Sequence, residues 1–240
     1  MNPYAELQAR ALACNLRLPA SGLVTGTFGN ASAFDRQRGV FAIKPSGVPF
    51  TDLKADDLPV LDVAGKLVYG SLRPSSDMPT HALLYEAWPD IGGVVHTHAP
   101  YAVAWAQAMR PIPVFGTTHA DHCDGDIPCT APMADERIAG DYEVETGRQI
   151  LDMLAGVSHA DVTMILVACH GPFTWGKTPE KAVDNSIALE LIAQMALHTI
   201  QIAPATPRLK ESLLKKHFER KHGPGAYYGQ ASPTSKDTSR

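Results

Sequence analysis

Gly92-Gly93-Val94-Val95-His96-Thr97-His98 is the stretch around which the chain is organised, because it leads a predicted core strand into two histidines. Val94 and Val95 are β-branched and follow a glycine pair, which is typical of the start of a buried strand. Side chains two positions apart on a strand share a face, so we expect both imidazoles to project together. Paired neutral imidazoles can bind a borderline metal such as Zn²⁺. The motif alone is weak, because histidines this close are more often incidental than ligands.

The composition is that of an ordinary globular protein. The 240 residues are 45% hydrophobic and 19% charged, which is enough for a sizeable core. A net charge of −4 without a basic cluster gives no sign of a nucleic-acid or membrane-surface partner. No apolar run approaches the ~20 residues of a membrane span, and no secretion signal is visible, so we expect a cytoplasmic protein. Four cysteines without Cys-x-x-Cys spacing are expected to be reduced thiols: Cys14, Cys123, Cys129 and Cys169.

Strand-like and helix-like segments alternate along the chain, with no internal repeat and no linker. This mixture predicts one α/β layered domain. The periodicity and capping residues predict helices over residues 2–19, 78–88, 141–154, 179–202 and 207–222, with a further helix starting at residue 100. Strands are predicted at 40–43, 58–63, 66–69, from 94 onward and at 112–115. The near-continuous apolar run at 161–169 predicts a central strand.

Polar segments between these elements supply further candidate groups. Asp77, before a predicted helix, could cap that helix or place a carboxylate beside the histidine strand. The loops at 26–32 and 44–47 are rich in glycine and hydroxyl side chains and include Lys44. They could hold a phosphate, although ordinary turns are the commoner explanation for such loops. They do not form a P-loop, because G-x-x-x-x-G-K-S/T is absent.

A third histidine, His170, follows the apolar run at 161–169. With it, one carboxylate and three imidazoles could converge, namely Asp77, His96, His98 and His170. Such a set is suited to Zn²⁺, Mn²⁺ or Co²⁺. Asp121, in a polar loop, and Glu143, near a helix start, are possible proton carriers. The combination predicts a metal-assisted reaction on a phosphorylated, hydroxyl-rich substrate.

These segments together resemble the class II (metal-dependent) sugar-phosphate aldolase/epimerase family, and within it the L-ribulose-5-phosphate 4-epimerases. The matching segments are 25–32, 40–47, 74–81, 92–98, 116–121, 143–147, 170–173 and 217–230. The resemblance implies one class II aldolase domain over residues 1–230, with a central, mainly antiparallel sheet flanked by helices. It also implies a homotetramer with active sites at subunit interfaces. The tail 231–240 lies outside it and is expected to be disordered.

The resemblance further implies roles for individual residues. The metal, usually Zn²⁺, would be held by Asp77, His96, His98 and His170. The pair of proton carriers would be Asp121 and Tyr228, with Tyr228 supplied by a neighbouring subunit. A phosphate site would be formed by Gly29, Asn30, Ser46, Gly47, Ser75 and Ser76, and the rest of the substrate pocket by Lys44, Thr117, Glu143 and His217.

The implied activity is epimerisation of L-ribulose 5-phosphate to D-xylulose 5-phosphate at C4, by reversible cleavage of the C3–C4 bond. The nearest alternative is an aldolase of the L-fuculose-phosphate type, but those relatives have a glutamate at the position of Asp77. Another alternative is a non-catalytic scaffold like the adducin head domain, which lacks the ligand set that is complete here. Other pentulose-phosphate epimerases would share all these residues, so both an arabinose and an ascorbate route fit the sequence.

Overall fold

Within residues 2–223 and 226, which the computed structural model describes, seven strands form one sheet. They are β1 (Asn30–Asp35), β2 (Val40–Ile43), β3 (Val60–Asp62), β4 (Leu67–Tyr69), β5 (Gly93–His96), β6 (Met164–Val167) and β7 (Gly171–Gly176). Their order is β4-β3-β2-β1-β5-β7-β6, and every neighbouring pair is antiparallel. The predicted α/β class with a mainly antiparallel sheet is confirmed.

Eight α-helices accompany the sheet in the same described ranges. They are α1 (Ala5–Ala20), α2 (Met78–Ala87), α3 (Pro100–Gln107), α4 (Thr117–Ala120), α5 (Asp135–Ile138), α6 (Tyr142–Met153), α7 (Pro179–Ile202) and α8 (Glu211–His222). The longest, α7, starts as its sequence predicts, because the Thr178 side chain accepts the Lys181 N–H and Pro179 takes the first helical position. None of the helices placed by the structure combines the length and hydropathy that a membrane crossing requires.

The helices cover both faces of the sheet, and β5 shows how the two faces differ. Val94 packs in an apolar cluster with Leu84 of α2 and residues of α6, whereas Val95 packs with Leu18 of α1 and Val183 of α7. Fully burying such a side chain stabilises the fold by about 1.5–3 kcal/mol. His96 lies two residues after Val94, so it shares the face that α2 and α6 cover. The candidate site therefore forms on that side of the sheet.

The apolar run that predicts a central strand forms an edge strand, β6, so that prediction is wrong. The outer side of β6 is covered by the extended segment 127–130. The Leu166 N–H donates to the Pro128 carbonyl, and the Thr130 N–H donates to the Leu166 carbonyl, both at 2.9 Å. This cover leaves all four residues of β6 buried. An edge strand shielded in this way needs the same apolar composition as a central one.

Other local predictions are also corrected. The first helix begins at Ala5, because Asn2 Oδ1 accepts the Tyr4 N–H ahead of it. Segment 112–115 makes only a bridge, from Ile112 to Ile127, and the polar loop at 116–122 contains the short helix α4. The last helix begins at Glu211 rather than at residue 207.

Candidate metal centre and substrate pocket

Three imidazoles converge at the end of the sheet where β5 stops and β7 begins. His96 ends β5, His98 lies two residues beyond the strand, and His170 directly precedes β7. One ring nitrogen of each lies within 4.8 Å of the others, and the Nε2 atoms of His96 and His98 are 3.1 Å apart. Tetrahedral Zn–N bonds of about 2.1 Å place ligand nitrogens about 3.4 Å apart. The spacing and chemistry of the three imidazoles therefore fit a divalent metal.

The sheet register fixes the His96 ring. His96 pairs with Asn30 of β1 on one side and with Phe173 of β7 on the other. Its ring stacks on Phe173, with centroids 4.3 Å apart and planes 20° apart. Its Nδ1 lies 3.0 Å from the Pro172 carbonyl oxygen, which can only accept a hydrogen bond. The ring proton is therefore assigned to Nδ1, which leaves Nε2 as a free base facing His98.

Two glycines leave room for this arrangement. A Cβ on Gly171 would lie 3.0 Å from the Thr97 carbonyl oxygen and 3.4 Å from His96 Cε1. A Cβ on Gly29 would lie 2.7 Å from Val24 Cγ1 and 3.0 Å from the His96 carbonyl oxygen, and Gly29 also has a φ of +82°. Gly29 therefore requires glycine, whereas a side chain at Gly171 would push against the backbone next to His96.

His98 lies beyond the strand and is held by an aromatic contact instead. Phe28 stacks over its ring, with centroids 5.8 Å apart and planes 26° apart, although Phe28 itself is 63% exposed. Burial, together with the adjacent His96, lowers the pKa of His98 below its usual value. The ring is therefore neutral near pH 7, which is the form that binds a metal.

The backbone conformation of the preceding residue, Cys169, sets the direction in which the His170 side chain projects. Cys169 has a φ of 61°, a left-handed conformation that few non-glycine residues adopt, and it turns the chain sharply after β6. The Nδ1 atom of His170 then lies 3.4 Å from the Tyr142 hydroxyl at the start of α6. Burial lowers the pKa of His170 to about 4, with nearby His96 acting in the same direction, so this ring is also neutral near pH 7.

Asp77 lies beside the triad, although it does not belong to the closest group of ligand atoms. Its Oδ2 accepts a hydrogen bond of 2.7 Å from Asn30 Nδ2 and lies 3.4 Å from Ser75 Oγ. Asp77 occupies the N-cap position of α2, but its side chain makes no capping bond, so of its two possible roles the carboxylate beside the histidines fits the structure. Burial raises the pKa of Asp77, but the neighbouring imidazoles and Asn30 outweigh this and hold it below its usual value. A charged carboxylate therefore stands next to the three imidazoles.

The triad forms one wall of a cavity of about 380 Å³, a size typical of small-molecule sites. Many residues predicted from the sequence line it: Gly29, Asn30, Lys44, Ser46, Gly47, Ser75, Ser76, Asp77, His96, His98, Glu143 and His170. Four lining residues were not predicted: Thr27, Phe28, Pro45 and Tyr142. Each of them lies within two positions of a predicted residue, and this closeness along the chain is the signal that could have found them.

Lys44 brings a positive charge to this cavity. Its side chain is only 2% exposed, and its Nζ lies 3.4 Å from the carbonyl oxygens of Thr27 and Pro45 and 4.8 Å from the Phe50 ring centre. In the described part of the chain no carboxylate forms an ion pair with it. Burial lowers its pKa. An ammonium held without a carboxylate partner suits an anionic ligand.

Residues 9–197 match the Class II Aldolase and Adducin N-terminal domain family. The chain belongs to this family. It is 49% identical over 225 residues to L-ribulose-5-phosphate 4-epimerase UlaF of Salmonella paratyphi C (strain RKS4594), which covers 94% of this chain and 99% of the relative. The same figures hold for the UlaF epimerase of Salmonella typhi. The predicted relationship to these epimerases is confirmed, and the chain is their homologue.

Solved structures of class II aldolase relatives share the fold. An L-fuculose 1-phosphate aldolase aligns with a TM-score of 0.76 at 23% identity and covers 90% of this chain and 95% of its own. YgbL of Klebsiella pneumoniae, titled a putative aldolase/epimerase/decarboxylase, aligns with a TM-score of 0.69 at 26% identity and covers 88% of this chain and 97% of its own. The seven-stranded antiparallel sheet with flanking helices is therefore the class II aldolase fold.

In this class II aldolase-family chain, Thr117, Asp121 and His217 do not line the triad cavity. Asp121 instead accepts hydrogen bonds from α8, at 2.7 Å from Arg220 Nη2 and 3.0 Å from His217 Nδ1. Partial burial raises the pKa of Asp121, but Arg220 and His217 lower it to about 2. Tyr228, the predicted partner of Asp121, and the tail 231–240 lie outside the described residues.

Asp121, with its partners His217 and Arg220, lies toward the opposite end of the sheet from the triad. The next residue, His122, lines a second cavity together with Gly176 and Lys181. Gly176 ends β7, whereas His170 precedes its first residue. The five steps along β7 span about 16 Å at 3.3 Å per residue. Within one chain, these predicted proton-transfer and substrate residues are therefore not brought to the predicted metal ligands.

Proposed function

We propose that this protein is an L-ribulose-5-phosphate 4-epimerase, which interconverts L-ribulose 5-phosphate and D-xylulose 5-phosphate. The observation that carries the proposal is one cavity containing three converging imidazoles, the Asp77 carboxylate and the Lys44 ammonium. Near-full-length similarity to the UlaF epimerases supports the choice of substrate. Asp77 supports an epimerase over an aldolase, because its short carboxylate is tied to Asn30 beside the imidazoles.

The chemistry follows from the substrate. Carbon 4 of a ketose 5-phosphate bears no acidic hydrogen, so deprotonation cannot invert it. Cleavage of the C3–C4 bond is possible because the C2 carbonyl takes up the electron pair, which gives the enediolate of dihydroxyacetone and glycolaldehyde phosphate. Rotation of the aldehyde before the bond re-forms inverts C4. His96, His98 and His170, together with Asp77, would hold a divalent ion, which would supply the Lewis acidity needed to polarise the C2 carbonyl.

Residues of the cavity would hold the phosphate. Lys44 offsets part of its charge, while hydroxyl and amide side chains donate hydrogen bonds to its oxygens. The glycine positions allow the backbone to approach the ligand closely. The proposed set is Gly29, Asn30, Ser46, Gly47, Ser75 and Ser76, with Glu143 completing the wall on the α6 side. A fixed phosphate keeps the released aldehyde inside the cavity while it rotates.

We infer that the proton carriers come from a neighbouring copy of the chain. This proposal is supported by the absence of Asp121 from the lining of its own triad cavity. A neighbouring copy that docks its α4–α8 face on the cavity would supply Asp121, Thr117 and His217, and we propose that Tyr228 also comes from a neighbour. This extends the sequence-based expectation, in which only Tyr228 is supplied by a neighbour. Asp121 and Tyr228 would then exchange protons with the C4 oxygen on its two faces. The homotetramer implied by the resemblance provides such neighbours.

The activity can be tested with purified, zinc-loaded protein. We expect L-ribulose 5-phosphate to give D-xylulose 5-phosphate, measured by NMR of the sugar carbons, and D-ribulose 5-phosphate to stay unchanged as the isomer control. Removal of the metal by a chelator should stop the reaction, and Zn²⁺ should restore it. Accumulation of free dihydroxyacetone would instead identify an aldolase. Absence of any reaction by fully metal-loaded protein would refute the proposal.

The origin of Asp121 can be tested by mixing inactive variants. His98→Asn removes a triad member, and Asp121→Asn removes the proposed proton carrier. In a mixed oligomer, a site is intact when an Asp121→Asn chain supplies the triad and a neighbouring His98→Asn chain supplies Asp121. Random mixing gives about a quarter of such sites. His98→Asn mixed with His170→Asn is the control, because both changes fall in one triad and no site is repaired. If native mass spectrometry shows mixed oligomers and activity stays absent, Asp121 does not act on a neighbour's triad.

A further inference from the structure

His81, on α2 behind the triad, is fully buried but only half satisfied. Its Nδ1 lies 2.7 Å from Ser32 Oγ on β1. Its Nε2 has no hydrogen-bond partner within residues 2–223 and 226. A buried polar atom left unpaired costs about 1–3 kcal/mol, so we expect Nε2 to have a partner, either a bound water or a group of a nearby ligand site.

The bonds on the other side of His81 determine which ring nitrogen carries the proton. Ser32 Oγ also lies 2.6 Å from the Tyr85 hydroxyl. If Nδ1 were protonated and donated to Ser32, Ser32 could either donate to Tyr85 or accept from Tyr85 as well, because a hydroxyl oxygen has two lone pairs. The first arrangement leaves the phenol hydrogen, and the second leaves the Ser32 hydroxyl hydrogen, without an acceptor among the described residues. In the reverse direction Tyr85 donates to Ser32, Ser32 donates to Nδ1, and every hydrogen of the relay is used. The proton of the neutral imidazole therefore lies on Nε2.

Asp77 is the acceptor that fits this proton. The His81 N–H donates to the Asp77 carbonyl oxygen at 3.2 Å, so the two residues are one helical turn apart and their side chains share a face of α2. The two side chains also interact electrostatically. Asn30 occupies Oδ2 of Asp77, while Oδ1 takes part in none of the hydrogen bonds among the described residues. An N–H facing this carboxylate is attractive, whereas a bare Nε2 lone pair would be repelled.

We propose that His81 is a positioning residue that donates from Nε2–H to Oδ1 of Asp77, directly or through one buried water, and that Ser32 and Tyr85 hold it in this tautomer. Asn30 and His81 then hold the carboxylate from two sides and set the direction in which its remaining lone pairs point. A water is needed when the carboxylate stays beyond direct hydrogen-bond distance. The consequence for Asp77 as a metal ligand rests on the proposed function, whereas the tautomer does not.

The tautomer is tested by nitrogen NMR of histidine-labelled protein, with the His81 signals assigned by their loss in His81→Gln. We expect a protonated Nε2 and a bare Nδ1 at neutral pH, with or without Zn²⁺. Ser32→Ala removes the donor to Nδ1 and should allow the other tautomer to appear. A protonated Nδ1 in the unaltered protein would overturn the proposal, whatever the enzyme's activity.

The effect on the site is tested with two variants that differ in where they place an amide. Glutamine at position 81 puts its N–H₂ near the position of Nε2, and asparagine puts its own near Nδ1. We expect His81→Asn to weaken Zn²⁺ binding about 10- to 100-fold in a chelator competition, and His81→Gln to stay close to the unaltered protein. Thermal unfolding of both metal-free variants checks that they fold. Equal losses in two folded variants would overturn the positioning role.

A double-mutant cycle separates this inference from the proposed function. In an Asp77→Asn background, His81→Asn should cause no further loss of Zn²⁺ affinity, because the acceptor is already altered. If Asp77→Asn binds Zn²⁺ as tightly as the unaltered protein, Asp77 is not a ligand and that part of the proposed function fails. The tautomer measurement would still decide the orientation of His81. If His81→Asn does not fold, Ser32→Ala replaces it in the cycle, with an expected loss between those of the other variants.

Discussion

The Nε2 atoms of His96 and His98 face each other at 3.1 Å, and the His96 ring proton is engaged on the opposite side by the Pro172 carbonyl. His96 Nε2 is a free base, and the neutral His98 ring can present its own Nε2 lone pair, so the two nitrogens can bind a cation together. The arrangement follows from the backbone, because β5 ends at His96 and its ladder with β7 continues to that residue. The sheet thus fixes the position of His96, while His98 and His170 lie just outside the ends of β5 and β7.

Replacing His98 by asparagine should remove the metal. The variant loses one of three imidazoles, and we expect Zn²⁺ affinity to fall by about 100-fold or more, since even losses of outer-shell partners cost 10–100-fold. Elemental analysis after dialysis against a weak chelator measures the bound metal. His198→Asn is the matched control, because His198 is exposed and lies near the end of α7. Full metal content in His98→Asn would exclude His98 as a ligand.

Replacing Lys44 by methionine should change stability and binding in opposite directions. Methionine has a similar volume and removes a buried charge that lacks a carboxylate partner, so the metal-free fold should gain about 1 kcal/mol or more in its free energy of unfolding. Binding of inorganic phosphate, measured by calorimetry, should be lost. Lys66→Met, at an exposed position, should alter neither quantity. A variant that binds phosphate normally would show that Lys44 serves the fold rather than the ligand.

Asn15 takes the place of a strand residue at the start of β1. Its Nδ2 donates to the Ala31 carbonyl at 2.8 Å, and its Oδ1 accepts the Ala31 N–H at 2.9 Å. Asn15→Ala leaves both backbone groups unpaired in the interior, and we expect a loss of about 2–4 kcal/mol in the free energy of unfolding. Denaturant unfolding measures it, with the exposed Gln201→Ala as control. A loss below 0.5 kcal/mol, the usual surface range, would mean that water replaces the side chain.

The attachment of α8 should weaken at low pH. The folded-state pKa of Asp121 is about 2, below the value of about 3.9 expected in an unfolded chain. The carboxylate therefore stabilises the docked helix fully above about pH 4, and this contribution is lost as the pH falls toward 2. Since α8 has no buried residue, its amide protection should fall on the order of tenfold over this range. Hydrogen exchange, corrected for intrinsic rates, measures this.

The same experiment on Asp121→Asn provides the control. Its α8 amides should exchange rapidly at neutral pH and should show little further change on acidification. Unchanged protection in this variant would mean that α8 is held by contacts other than Asp121.

Local patterning predicted much of the fold because most elements are specified by nearby residues. Val94 and Val95 marked β5, and Thr178-Pro179 marked the start of α7, through chemistry confined to one turn or strand. The position of β6 could not be predicted in this way. Its edge is covered by residues 127–130, and that contact depends on tertiary structure rather than on the composition of β6 itself.

In the candidate site, too, some residues could be recognised from local sequence and others depend on tertiary structure. The histidines were found because their spacing and strand-end positions are visible in the sequence. Tyr142 was missed because its hydroxyl reaches His170 only after α6 packs on the sheet. The separation of Asp121 from the triad was also hidden, since sequence proximity does not reveal which end of a strand a loop reaches. The resemblance pointed to this residue, but the structure shows that it does not line the cavity of the three imidazoles in its own chain.

The pairing of His96 with Asn30 and Phe173 links the candidate metal site to the folding of the sheet. A slip of one residue in either ladder would turn His96 to the opposite face, and the three imidazoles would no longer converge. Tight binding of an ion therefore stabilises only chains with the native register, by an amount that grows with metal concentration. Zinc present during refolding would therefore increase the fraction of chains with the native strand register, because mispaired sheets cannot bind it.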